Sequence, residues 1–177
     1  MASQRSHTVT RIEVSTGIAY DDFVAALEKA APAFDPGPVE LIGETGGTWD
    51  DIRSAIAVNA PNDLIRYARI NATALFAIAG HATRSIEYLI GNHVTAETMF
   101  RHDPRALLYA PLRMLIYSDG DGNAVFTMHR PSDEFGSLGI PEVTKVGEEL
   151  DREVVNLLRI CGVDASQAFA TTGPQQQ

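Results

Sequence analysis

Apolar and polar residues alternate from His7 to Thr16, with Ile12 and Val14 on one side and Arg11 and Glu13 on the other. Leu64–Ile70, Thr83–Ile90, Leu112–Tyr117 and Asn123–His129 repeat that period of two, and each reads as a half-buried strand. Elsewhere the apolar spacing lengthens to three and four. Phe23, Leu27 and Ala30 form one helical stripe, and Trp49, Ile52 and Ile56 a second. Val143, Val146, Leu150, Val154, Leu157 and Leu158 form a third and longest one.

Two shorter helices are predicted, Ala72–Ala79 after Asn71 and His93 to about His102 after the capping Asn92. End signals frame these elements. Pro32 stops the first helix, and Asp21 and Asp22 favour its N-terminus. Thr48 and Asp51 resemble a capping box, with Asp in place of Glu. Gly162 reads as a C-cap. The prolines and glycines of Phe34–Gly47 predict a loop, with room for a short extended piece at Val39–Ile42. Arg84–Tyr117 is the organising stretch, read as strand, crossover helix and strand.

The hairpin permits a sharper deduction. Leu112, Met114 and Ile116 are apolar, as are Ala124, Phe126 and Met128. Opposed residues share a sheet face, so even positions must pair with even ones. The connection then needs an odd number of residues, such as the five of Ser118–Gly122. Arg113, Leu115, Tyr117, Thr127 and His129, with Glu87, fall on the opposite face. That mixed face meets solvent, a ligand or a second subunit. Segregated elements closing on a hairpin predict an α+β fold, a mainly antiparallel sheet with helices packed on one face. The expected limits are a disordered N-terminus over residues 1–7, one domain over 8–162 with a loop-and-helix elaboration at 34–61, and a flexible tail over 163–177.

Composition narrows the partners. The 177 residues carry a formal net charge of −9. That predicts no nucleic-acid partner and no docking on an anionic membrane, since both need clustered Lys and Arg. MASQRSHTV lacks the apolar core of a signal peptide, and ATALFAIAG is too short to span a bilayer, so the expected location is cytoplasmic. The lone Cys161 permits no intrachain disulfide and reads as a small buried hydrophobe.

Candidate chemistry gathers around two places. His93, Glu97 and Arg101 share one face of a helix at i, i+4 and i+8. A metal site or an acid–base pair uses that spacing, and so does a plain surface ion pair. Two potential ligands define no metal site. Glu87, Arg113 and His129 converge at one sheet edge, where arginine suits a carboxylate or phosphate; a salt-bridge network or subunit contact uses the same residues. No Walker loop, dinucleotide fingerprint, Gly-x-Ser-x-Gly elbow or calcium loop occurs. No cofactor is specified.

Tyr88-Leu89-Ile90-Gly91-Asn92, Met99, His102-Asp103-Pro104, Ala110-Pro111-Leu112-Arg113 and the Asp-Gly hairpin before Pro131-Ser132 resemble the DUF302 family, a bacterial domain of unknown function. His93 stands where many relatives have Pro. The resemblance implies a TATA-binding-protein-like core in β-α-β(4)-α order, here with an inserted helix, and a homodimer. It implies no agreed activity.

Three functions follow as expectations. The first is a dimeric cytoplasmic module binding an anionic or amphipathic small molecule. Its ligand residues are His93, Glu97, Arg101, Tyr109, Arg113 and His129, with Trp49 as an alternative packing surface. The second is an enzyme using His93, Glu97 and His129 or His102. The third is a dimerisation domain without a ligand. All rest on one polar hollow between the His93 helix and the far end of the hairpin.

Overall fold

A computed structural model of the chain describes residues 2–170. Strands β1 (Arg11–Ala19), β2 (Ile65–Asn71), β3 (Ser85–Gly91), β4 (Leu112–Ser118) and β5 (Asn123–His129) form one sheet in the order β1-β5-β4-β3-β2. Every neighbouring pair is antiparallel. Helices α1 (Tyr20–Ala30), α2 (Gly37–Glu44), α3 (Trp49–Asn59), α4 (Thr73–Ile78), α5 (His93–Phe100), α6 (Pro131–Gly136), α7 (Pro141–Ile160) and α8 (Ser166–Phe169) complete the α+β fold. A 3-10 turn at Pro104–Leu108 follows α5.

The parity deduction holds. Met114 pairs with Met128, Ile116 with Phe126 and Ser118 with Ala124. Five residues, Asp119–Asn123, separate the last pair, one position later than expected and still odd. The buried even positions meet Phe23 and Leu27 of α1 and Leu150, Val154 and Leu157 of α7 in the main core. The odd positions face away.

Several expectations are corrected. β3 and β4 are antiparallel neighbours, so α5 is no crossover helix. With the 3-10 turn it arches over one end of the sheet and returns the chain beside itself. The loop predicted at Phe34–Gly47 contains α2. Pro36 is its N-cap and Pro38 lies in its first turn, where a missing N–H has no consequence. β1 runs past Gly17, which has φ +67, with an irregular register between Ser15 and Ala19. The tail expected from 163 is partly core: Val163, Ala165 and Phe169 are buried. Arg130 holds that end, donating to the carbonyls of Ala168 and Ala170. Residues 171–177 of the expected tail lie outside the described residues, as does Met1.

Other signals match their elements. Thr48 and Asp51 form the reciprocal capping box at α3. Asn71 accepts from Thr73 N–H at the start of α4. That helix buries no residue and leaves Leu75, Phe76 and Ile78 exposed. Ala33 bridges to Arg66 in parallel and covers part of the β2 edge.

Gly147 sets how closely α6 approaches α7. A Cβ there would lie 3.0 Å from Phe135 Cβ and 3.1 Å from Ser132 Cα. Gly147→Ala gains about 1 kcal/mol of helix propensity but forces two backbones apart. The expected net result is a loss of about 1–2 kcal/mol in urea denaturation; a stabilised variant contradicts the close packing.

Candidate functional site

The site begins where β3 ends. Asn92 caps α5, its Oδ1 accepting from Val94 N–H at 2.8 Å while its Nδ2 donates to the Asp63 carbonyl at 2.8 Å. This fixes His93 in the first turn. Under α5 lies a cavity of about 230 Å³, closed below by Met99, Leu112, Phe135 and Leu150. Leu107, Ala110 and Pro111 line the same cavity. Its polar positions are Tyr67, Asn92, His93 and Thr95. Among the described residues, no Lys, Arg, Asp or Glu lines it.

His93 and Tyr67 form the chemical centre. Tyr67 OH lies 2.9 Å from His93 Nδ1, with the rings edge-on at 4.8 Å. Phe34 packs on both, at 5.2 Å from Tyr67 and 5.0 Å from His93. Burial pushes the Tyr67 phenol up to about 12, against a smaller lowering by the His93 backbone N–H. His93 stands at the mouth, exposed on its outer side, yet burial of its inner side lowers its pKa. Both groups are therefore neutral at pH 7. With the phenol pKa far above neutral pH and the imidazole uncharged, the Tyr67 O–H is placed to donate to Nδ1. The imidazole proton then sits on Nε2. The pair offers one neutral N–H donor at the rim of a greasy hollow.

The expected polar hollow is not formed. Of the six candidate ligand residues, only His93 lines this cavity. Glu97 and Arg101 pair with each other along α5, the plain surface ion pair of the sequence reading. Tyr109 packs edge-on against Phe135 at 5.9 Å, and its hydroxyl lies 3.1 Å from Ser137 Oγ. Arg113 and His129 sit on the opposite face of the sheet. Arg113 Nε is 3.6 Å from Glu87 Oε1, and His129 Nδ1 is 3.1 Å from Glu134 Oε1. The physical reason is parity: odd positions of β4 and β5 point away from the helices that carry His93. An acid–base set of His93, Glu97 and His129 does not assemble. Trp49 opens α3 half-exposed and outside the cavity lining.

Tyr67 escaped the sequence reading. The β2–β3 register shifts between Arg66 and Ala68, so Tyr67 occupies a bulge that frees it to turn toward α5. Nothing in LIRYARI marks that bulge. Cys161 is buried, and burial pushes its thiol up to about 11, which leaves it unreactive at neutral pH. Among the described residues, no group of three or more His, Cys, Asp or Glu is placed to hold a metal ion. None of the described helices is long and apolar enough to cross a membrane.

Comparison with known proteins gives a family and a fold. Residues 45–159 match the family described as "Domain of unknown function DUF302". Every cavity-lining residue falls within that stretch. A crystal structure of an uncharacterized conserved DUF302 protein from Bacillus stearothermophilus superposes with a TM-score of 0.60 at 11% identity. The match covers 85% of this chain and 97% of that one, which supports the fold alone. No curated protein matches this chain. The chain thus belongs to the DUF302 family, a family of unknown function.

Proposed function

We propose that this is a cytoplasmic small-ligand-binding domain whose site is the cavity under α5. The observation that carries the reading is an apolar hollow of about 230 Å³ whose rim bears one hydrogen-bonded pair, His93 and Tyr67. Concave apolar walls with few placed polar groups are the usual form of a small-molecule site. The expected ligand is neutral and compact, an apolar body with one carbonyl or hydroxyl that accepts from His93 Nε2. An anionic ligand fits poorly, because desolvating a charge without a cation beside it is unfavourable. The arginines that the sequence offered for that role stand elsewhere.

Calorimetry with cyclohexanone, a seven-heavy-atom probe of that shape, tests this. Saturable binding is expected with a Kd of about 0.1–1 mM, from roughly 0.6–0.8 kcal/mol per heavy atom. Cyclohexanecarboxylate should bind at least about tenfold more weakly. Ala96→Phe, which fills the hollow from α5, should abolish the signal. Absence of saturable binding, equal binding by the variant, or tighter binding of the carboxylate overturns the reading.

A further inference from the structure

On the sheet face turned away from the helices, the end row sets two arginines astride a histidine. Arg11 lies opposite His129, and one step beyond the Met114–Met128 pair the register sets Arg113 on the other side of His129. Leu89 lies opposite Arg113 and Ala68 opposite Leu89, so the row runs on as an apolar ledge. The next row reads Glu13, Thr127, Leu115, Glu87 and Ile70. A depression of about 170 Å³ opens here, and its lining includes Arg11, Arg113, His129, Thr127, Leu115 and Glu134. Neither Glu13 nor Glu87 lines it. Its one carboxylate, Glu134, has a side chain only 19% exposed and is engaged with His129 Nδ1 at 3.1 Å. The arginines are free to turn inward. Among the described residues, Arg11 has no ion-pair partner. Arg113 Nε stands 3.6 Å from Glu87 Oε1, too far for a hydrogen bond, and its side chain is 75% exposed. A contact so exposed contributes little and yields to a better-placed anion.

We infer that this depression is a second ligand site, a two-arginine clamp for the phosphoryl group of a small phosphate monoester. Strands about 4.8 Å apart put the two arginine Cα atoms about 10 Å from each other, and the long side chains of both can close on one group above His129. Each guanidinium presents a planar fork of N–H donors that matches two phosphate oxygens. Two positive charges match a dianion. A carboxylate brings one charge and leaves one arginine unmatched. Leu89 across the ladder from Arg113, and Leu115 two residues along from it, give the ester's organic group an apolar floor. The site lies on the opposite side of the sheet from the α5 cavity and does not depend on it. The net charge of −9 repels anions at a distance, so affinity comes from these contacts and is modest.

Nitrogen–proton spectra of the arginine Nε groups of the full chain, titrated with phenyl phosphate at low salt and about pH 7.5, are the test. At that pH the ester is a dianion. Saturable shifts of the Arg11 and Arg113 signals are expected with a Kd of about 1 mM, weakening severalfold in about 0.5 M salt. Arg11→Gln and Arg113→Gln should each weaken binding at least about fivefold, followed through the signal of the arginine that remains. Both positions are exposed, so circular dichroism should stay unchanged. Inorganic phosphate, without the apolar part, should bind at least about threefold more weakly. Cyclohexanecarboxylate should bind at least about fivefold more weakly. An excess of cyclohexanone should leave the shifts in place. No saturable shift, a Kd indifferent to either substitution, or equal binding of inorganic phosphate or the carboxylate overturns the inference. So does displacement by cyclohexanone, which would put the ester in the α5 cavity instead.

Discussion

Glu153→Gln stabilises the protein at pH 8 by about 2–3 kcal/mol and leaves it nearly unchanged at pH 4.5. Glu153 lies on α7 with Oε2 buried and without a hydrogen-bond partner. Burial first, then the charges of Asp63 and Glu149, push its carboxyl up to about 7, against a smaller lowering by Arg152. The unfolded chain releases that proton near the ordinary value of 4.5. Below about pH 4.5 both states hold the proton, and the group carries no penalty. As pH rises the folded state must either keep a proton the unfolded state has shed or bury a charge. Stability therefore falls from about pH 4.5 and levels off above about pH 7. A displacement of that size corresponds to about 3 kcal/mol, reduced somewhat by the group's partial exposure. Glutamine does not titrate, so its urea-denaturation stability should lack this fall. Parallel pH curves for the two proteins would show that Glu153 is ordinary.

Glu28→Ala loses about 3 kcal/mol or more. Glu28 Oε1 accepts from Tyr88 OH at 2.6 Å and from Arg69 Nε at 2.7 Å. Arg66 NH1 lies 3.8 Å from its other oxygen. Tyr88 is fully buried, and Arg66 Nε already lacks a partner. Removing the carboxylate leaves the buried Tyr88 phenol and the largely buried Arg66 guanidinium uncompensated between α1 and the sheet, while the exposed Arg69 turns to water. Breaking such a pair by deleting one member is far more damaging than replacing the whole group. Desolvation raises the Glu28 pKa, but the hydrogen bonds from Tyr88 and Arg69 and the arginine charges together outweigh it, so the net shift is downward. The stability that Glu28 contributes is thus present above the unfolded value near 4.5 and lost as pH falls through the lower folded value. Glu28→Gln keeps a hydrogen-bonding oxygen but no charge and should lose about half as much. An alanine variant within about 1 kcal/mol of the parent contradicts the network's importance.

The sequence was informative where one rule acted alone. Period two placed Met114, Ile116, Phe126 and Met128 on the core face, and parity then paired them. The Thr48–Asp51 box and the Asn92 cap were legible because each is a local exchange of hydrogen bonds. α2 was missed because Pro36 and Pro38 read as breakers, although the first turn tolerates them. The buried tail was missed because Ala165 and Phe169 lack a long stripe, and their burial depends on Arg130 from a distant segment. The candidate site is less legible, because its residues obey two patterns that place them on different faces. Parity had already set Arg113 and His129 on the face away from the helices, which excludes them from any hollow beside His93. Tyr67 took their place through a strand irregularity that no residue in β2 announces.

Imidazole nitrogen–proton correlation spectra of His93, recorded from pH 5 to 8 with and without cyclohexanone, measure the site directly. The account predicts a pKa below 6.5, the proton on Nε2 at pH 7, and a saturable shift of Nε2 on adding the probe. A His93 that titrates at or above 6.5, protonates Nδ1 when neutral, or ignores the probe would place the ligand site elsewhere or nowhere on this chain.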